Sequence, residues 1–139
     1  MLRRMRARVA VVALILVQGC LWRGYARVLE IHLEVLDSMA AKMCGLTGGP
    51  APASETIGEF VYPAKRAREV EQQFASRREQ SSYAAFDKVL QRYEALLQLF
   101  DRSRVNQETW AASAERVCEE SRAVSADVVG VRQALAHEG

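Results

Sequence analysis

"WAASAERVCEESRAVSADVVGVRQAL", residues 110–135, decides the fold class. Trp110, Ala114, Val117, Ser121, Val124, Val128, Val131 and Leu135 alternate spacings of four and three throughout. That is the period of an α-helix with one buried face, in the heptad form of a helix packed lengthwise on others. Asn106 suits the N-cap, which sets Val105 and Trp110 as the N′ and N4 partners of a hydrophobic staple. A helix over about 106–136 follows. Gly130 weakens it by about 1 kcal/mol relative to alanine.

Working toward the N-terminus, Phe86, Val89, Tyr93, Leu96 and Phe100 make a second seam, and Val70 and Phe74 begin another in a different heptad phase. "ASRREQSS", residues 75–82, separates them without a large apolar residue. From Ala64 to Val129 there is neither Gly nor Pro, so strong helix formers favour one long helix over 63–102 with a stutter. Pro63 suits its first position. The alternative is a turn, with the box Ser76-x-x-Glu79 starting a new helix. Before this lies a connection over 46–62, where Gly48, Gly49, Pro50 and Pro52 break any helix and Ile57, Phe60 and Val61 fold back as a capping turn. In the first segment, 21–45, Tyr25, Leu29, His32, Leu36, Met39 and Met43 repeat at four and three, Val28 and Val35 widen the stripe, and Gly45 stands at the expected C′ position. The predicted fold is all-α. It is an elongated antiparallel three-helix bundle, or a four-helix bundle if the chain breaks near 76–82.

The opening segment, "MLRRMRARVAVVALILVQGC", differs in kind. Arg3, Arg4, Arg6 and Arg8 precede an apolar run over 9–17, and no acid occurs before Glu30. The run is shorter than the roughly 20 apolar residues a helix needs to cross a bilayer. A basic stretch, a short apolar stretch and small residues form the pattern of a secretory signal peptide over 1–19, leaving one mature domain over 20–139. The chain has 19 basic and 17 acidic residues. The net charge of +2 thus reports the leader, and no nucleic-acid partner is expected.

Val17-Gln18-Gly19-Cys20 resembles the lipobox of bacterial lipoprotein precursors: an aliphatic residue, a small residue, Gly or Ala, then Cys. Val17, Gly19 and Cys20 match; Gln18 departs from the pattern. The resemblance implies cleavage between Gly19 and Cys20, acylation of Cys20, and a membrane partner through the lipid. Leu21 in place of Asp implies the periplasmic side of an outer membrane. The resemblance covers about 20 residues and implies nothing about the mature domain. If lipid takes Cys20, Cys44 and Cys118 remain as an even pair. They form a disulfide in an oxidising compartment, or stay as two buried thiols.

Little else in the chain suggests chemistry. His32, Met39 and Met43 are soft ligands on one stripe, a pattern that suits copper and equally suits core filling. Glu30 and Glu34 share a face from which His32 points away, so "EIHLE" is a solvated acidic stripe. Lys65, Arg66 and Arg68, and separately Arg77 and Arg78, suit phospholipid heads, an acidic partner, or an exposed helix face. Ser121 interrupts the last seam; it bonds to a helical carbonyl or fixes register. His137 is near the end of the chain. No nucleophile–base arrangement, haem motif or cofactor loop occurs. The expected function is that of a non-enzymatic, membrane-anchored envelope lipoprotein without cofactor, acting as a helical scaffold toward an envelope protein or its own copies. The alternatives are a metal or small-ligand sensor around His32, and an accessory subunit of a membrane complex with an uncleaved N-terminal helix.

Overall fold

A computed structural model describes the backbone from Leu2 and side chains from Leu21 to Gly139. Side chains are not described at Gly19 and Cys20, the residues expected to direct cleavage and lipidation, so that expectation lies outside the described side chains. Among the described residues four helices follow in order: α1 (Leu2–Gly45), α2 (Thr56–Gln73), α3 (Ser81–Ser103) and α4 (Gln107–Glu138). Short 3-10 turns occur at Leu46–Gly48 and Ala75–Arg77. No strand occurs among the described residues. The protein is an all-α helical bundle, as its periodicity predicts.

The four helices run up, down, up and down. α4 packs along α1 and α3, and α2 packs along the same two from the other side. The antiparallel register of α1 and α4 is fixed by three polar contacts. Ser121 Oγ donates to the Ala40 carbonyl at 2.8 Å, Ser125 Oγ donates to Asp37, and Arg132 pairs with Glu30 at 2.7 Å. At one end of the core Tyr25 meets Phe74 edge-on at 5.0 Å. At the other, Phe100 stands between Phe60 and Trp110, at 5.2 and 5.1 Å. Such tilted pairs set the electron-poor ring edge against the electron-rich face.

The long middle helix expected over 63–102 divides. α2 ends at Gln73, and the chain turns through 74–80 before α3 begins. The phase change between the Val70–Phe74 and Phe86–Phe100 seams is thus resolved by a turn, because both seams can then face one core. The new helix does not start at Ser76. Gln80 is the extended N-cap and makes no side-chain capping bond. The acceptor comes from another helix: the Glu138 carboxylate of α4 takes the Ser82 N–H at 2.8 Å.

α2 also begins seven residues before Pro63, which therefore lies inside the helix. Proline has no N–H to offer the Glu59 carbonyl. Glu59 is exposed, so water can supply the missing bond. The earlier start helps bury Phe60 completely, which outweighs the cost of an interior proline. The expected loop 46–62 shortens accordingly. Gly45 does not reverse the chain: its φ is −60°, and α1 tightens directly into the first 3-10 turn, where Thr47 Oγ1 donates to the Cys44 carbonyl at 2.7 Å. Asn106 caps α4 as expected, accepting from the Thr109 N–H at 2.8 Å. Its proposed staple does not form, since Val105 is 70 % exposed while Trp110 is drawn into the core by Phe100.

Candidate functional site

Three regions carry polar chemistry, and the helical register assigns a different task to each. The first is the α1–α4 seam. In α4 the predicted positions Trp110, Val117, Ser121, Val124, Val128 and Val131 are all buried. In α1 the buried stripe is Tyr25, Leu29, Leu33, Leu36, Ala40 and Met43, so Leu33 and Ala40 replace the expected His32 and Met39. Ala40 is small, and its carbonyl receives the Ser121 hydroxyl. Close approach of α4 at that point turns α1 toward Leu33. Next to this contact Cys44 and Cys118 form a disulfide, with their Cα atoms 4.6 Å apart. Of the two alternatives left open by the sequence, the structure has the bridge.

His32, Met39 and Met43 are not brought together as a ligand set. Met43 is fully buried in the core, Met39 is half-buried against it, and His32 is half-buried. Burial holds the imidazole pKa below its ordinary value, and the positive charge of Arg66 lowers it further. The same charge would oppose a bound cation. Among the described residues, no group of three His, Cys, Asp or Glu side chains converges on a metal-sized site.

The second region is an ionic cluster between α2 and α3. Arg68 binds Glu71 at 2.9 Å, Asp87 at 2.6 Å and also Glu94. Burial alone would lower the Arg68 pKa, but hydrogen bonds to Asp87, Glu94 and Glu71 raise it. Glu71 is pushed up, first by burial and then by its contact with Asp87, despite Arg68. The contact between the two carboxyl groups moves their pKa values in opposite directions. Burial also opposes charge on Asp87, but the bonds from Glu71 and Arg68 prevail and lower its pKa. A groove of about 330 Å³ lies beside the cluster, lined by Val61, Ala64, Lys65, Arg68, Glu94, Leu97 and Gln98. Arg68 borders it with its guanidinium already taken by carboxylates. Arg66 pairs within its own helix, with Glu69. The basic run 65–68 is therefore largely neutralised by its surroundings.

The third region is the end of the bundle where α1 enters. Here the Tyr25 hydroxyl shares a 2.8 Å hydrogen bond with Ser82 Oγ, and burial raises its pKa. The Arg77 guanidinium lies 4.6 Å over the Tyr25 ring and 5.6 Å over that of Trp22. Both are within cation–π reach. Trp22 in turn contacts Tyr25, with centroids 5.7 Å apart. Leu21 is 62 % exposed, and Arg23, Arg27 and Arg78 are exposed. The basic pair 77–78 thus belongs to an aromatic and cationic rim, unlike the run 65–68. Linear sequence gave no sign of this grouping, because the turn at 74–80 creates it.

Among the described residues, no helix is long and apolar enough to cross a membrane. No protein-family model, curated protein or solved structure matches the chain. The protein is defined by its architecture: an up-down-up-down four-helix bundle closed by one disulfide between its first and last helices.

Proposed function

We propose that this protein is an exported, non-enzymatic envelope lipoprotein, anchored through acylated Cys20, whose rigid helical bundle is a scaffold for another envelope protein. The observation that carries the reading is the Cys44–Cys118 disulfide. Disulfides of this structural kind persist in oxidising compartments and are rare in the cytosol. The chain has three cysteines. Pairing two of them leaves Cys20, the residue that the lipobox-like Val17-Gln18-Gly19-Cys20 marks for acylation. Attachment on the periplasmic side of an outer membrane agrees with Leu21 following Cys20.

A scaffold needs a stable shape and exposed side chains for recognition. α4 alone has 32 residues, about 48 Å at 1.5 Å per residue. The bridge fixes it against α1. Ile31 and Val35 on α1, and Val61 and Tyr62 on α2, remain exposed and are available to a protein partner. The test is incorporation of labelled palmitate in cells, with Cys20→Ser as control. Label is expected in the wild type and not in the variant. Equal labelling of both, or absence of label from both, overturns it.

A further inference from the structure

We infer that the end of the bundle formed by Trp22 and the 74–80 turn seats on an anionic lipid headgroup surface, with Arg23, Arg77 and Arg78 facing phosphate. The inference rests on the membrane anchoring proposed above and specifies which face meets the bilayer. Cys20 precedes Trp22 by two residues, a span of at most about 7 Å in any backbone conformation. The headgroup layer of one leaflet is itself about 5–8 Å thick. An anchor at Cys20 therefore holds this end, and no other, against the headgroups.

The side chains at that end suit the layer. Tryptophan favours the membrane–water interface because its ring is apolar and its N–H polar. Leu21 presents apolar surface next to it. Arg77 is held in place by stacking on Trp22 and Tyr25, leaving its donors for phosphate. Among the described residues, Arg23, Arg27 and Arg77 have no carboxylate within 4 Å, and Arg78 has only exposed Glu79, at 3.9 Å. Along the sides, Arg66, Arg68, Arg92 and Arg132 each hold a carboxylate. Among the described residues Arg102, Arg116 and Arg122 also lack one, but they stand apart from this aromatic group. Of the acids at this end, Glu138 is turned inward to the Ser82 N–H, Glu79 is exposed beside Arg78, and Gly139 lies against Trp22 without pairing any of these arginines. Positive charge is thereby concentrated where the anchor requires contact with lipid.

Tryptophan fluorescence tests the seating, since Trp22 and Trp110 are the two tryptophans of the chain and Trp110 is fully buried. The full-length protein, extracted from cells with its lipid, is reconstituted into vesicles with or without phosphatidylglycerol. The lipids are brominated near the headgroup. The Trp22 component is the difference between wild type and Trp22→Phe, which leaves Trp110 untouched. It is expected to be strongly quenched in phosphatidylglycerol vesicles. Arg77→Gln with Arg78→Gln, or high salt, is expected to reduce that quenching roughly twofold through lost or screened attraction. Persistence of the disulfide and of the helical circular dichroism shows that the variants fold. Protein that floats with the vesicles while Trp22 is no more quenched than Trp110 overturns the seating alone. Protein that does not float overturns the anchoring and the seating with it.

Discussion

The α1–α4 and α2–α3 interfaces hold the same bundle by different physics. α4 is fastened to α1 by the covalent Cys44–Cys118 bridge, by the neutral Ser121-to-Ala40 bond and by the Arg132–Glu30 pair. α2 is fastened to α3 through Arg68, around which three carboxylates gather. The first interface closes a separation of 74 residues and depends on redox state. The second joins neighbouring helices across one turn and depends on charge. The first interface sets the shape of the bundle, and the second sets its pH response.

Removing the covalent clamp has the largest expected effect on the α1–α4 interface. Cys44→Ala with Cys118→Ala is expected to lower the unfolding free energy by about 4 kcal/mol, the chain-entropy value for a loop of this length. Urea denaturation of oxidised wild type and the variant measures it. Arg68→Met is next. It leaves Glu71, Asp87 and Glu94 facing one another, and should cost about 2 kcal/mol at neutral pH after allowance for partial exposure. Its loss should shrink in acid, as the carboxylates protonate. A penalty independent of pH would show that Arg68 acts by packing. Ser121→Ala, by contrast, should cost about 1 kcal/mol at all pH values, since neither partner titrates.

Titration of Glu71 has a weaker effect on the α2–α3 interface. The Glu71 pKa is raised in the folded state, so folding takes up a proton there. Its contribution to stability is favourable in acid and declines as pH rises from the ordinary carboxyl range through the raised value. Glu71→Gln keeps an amide donor for Asp87 and removes the titration. The variant should therefore gain stability relative to wild type as pH increases from about 4 to 7. Denaturation midpoints across that range, measured with the disulfide intact, give the sign. A constant difference would place the titration elsewhere.

The parts of this fold legible in the sequence are those fixed by local periodicity. The α4 seam from Trp110 to Val131 reads directly, because one side of that helix is buried along nearly its whole length. The Asn106 cap reads equally well, since capping involves only neighbouring residues. α1 is harder. His32 and Leu33 lie 100° apart on a helix, and either completes an apolar stripe. The choice is made by the close approach at Ala40 and Ser121, two small residues that hydropathy patterns weigh lightly. The turn at 74–80 is hidden for a related reason: the acceptor for the Ser82 N–H is Glu138, 56 residues away. The aromatic and arginine rim depends on that turn and was invisible with it. The two basic runs look alike in sequence, and only their carboxylate neighbours distinguish them.

We propose an exported bundle closed by Cys44–Cys118 and anchored at Cys20. The intact mass of protein purified from cells, with free thiols blocked at lysis, tests it most directly. The expected product is a chain beginning at Cys20, heavier by two or three acyl groups, with no blocking agent on Cys44 or Cys118. Retention of Met1, an unmodified Cys20, or blocked thiols at Cys44 and Cys118 would contradict it.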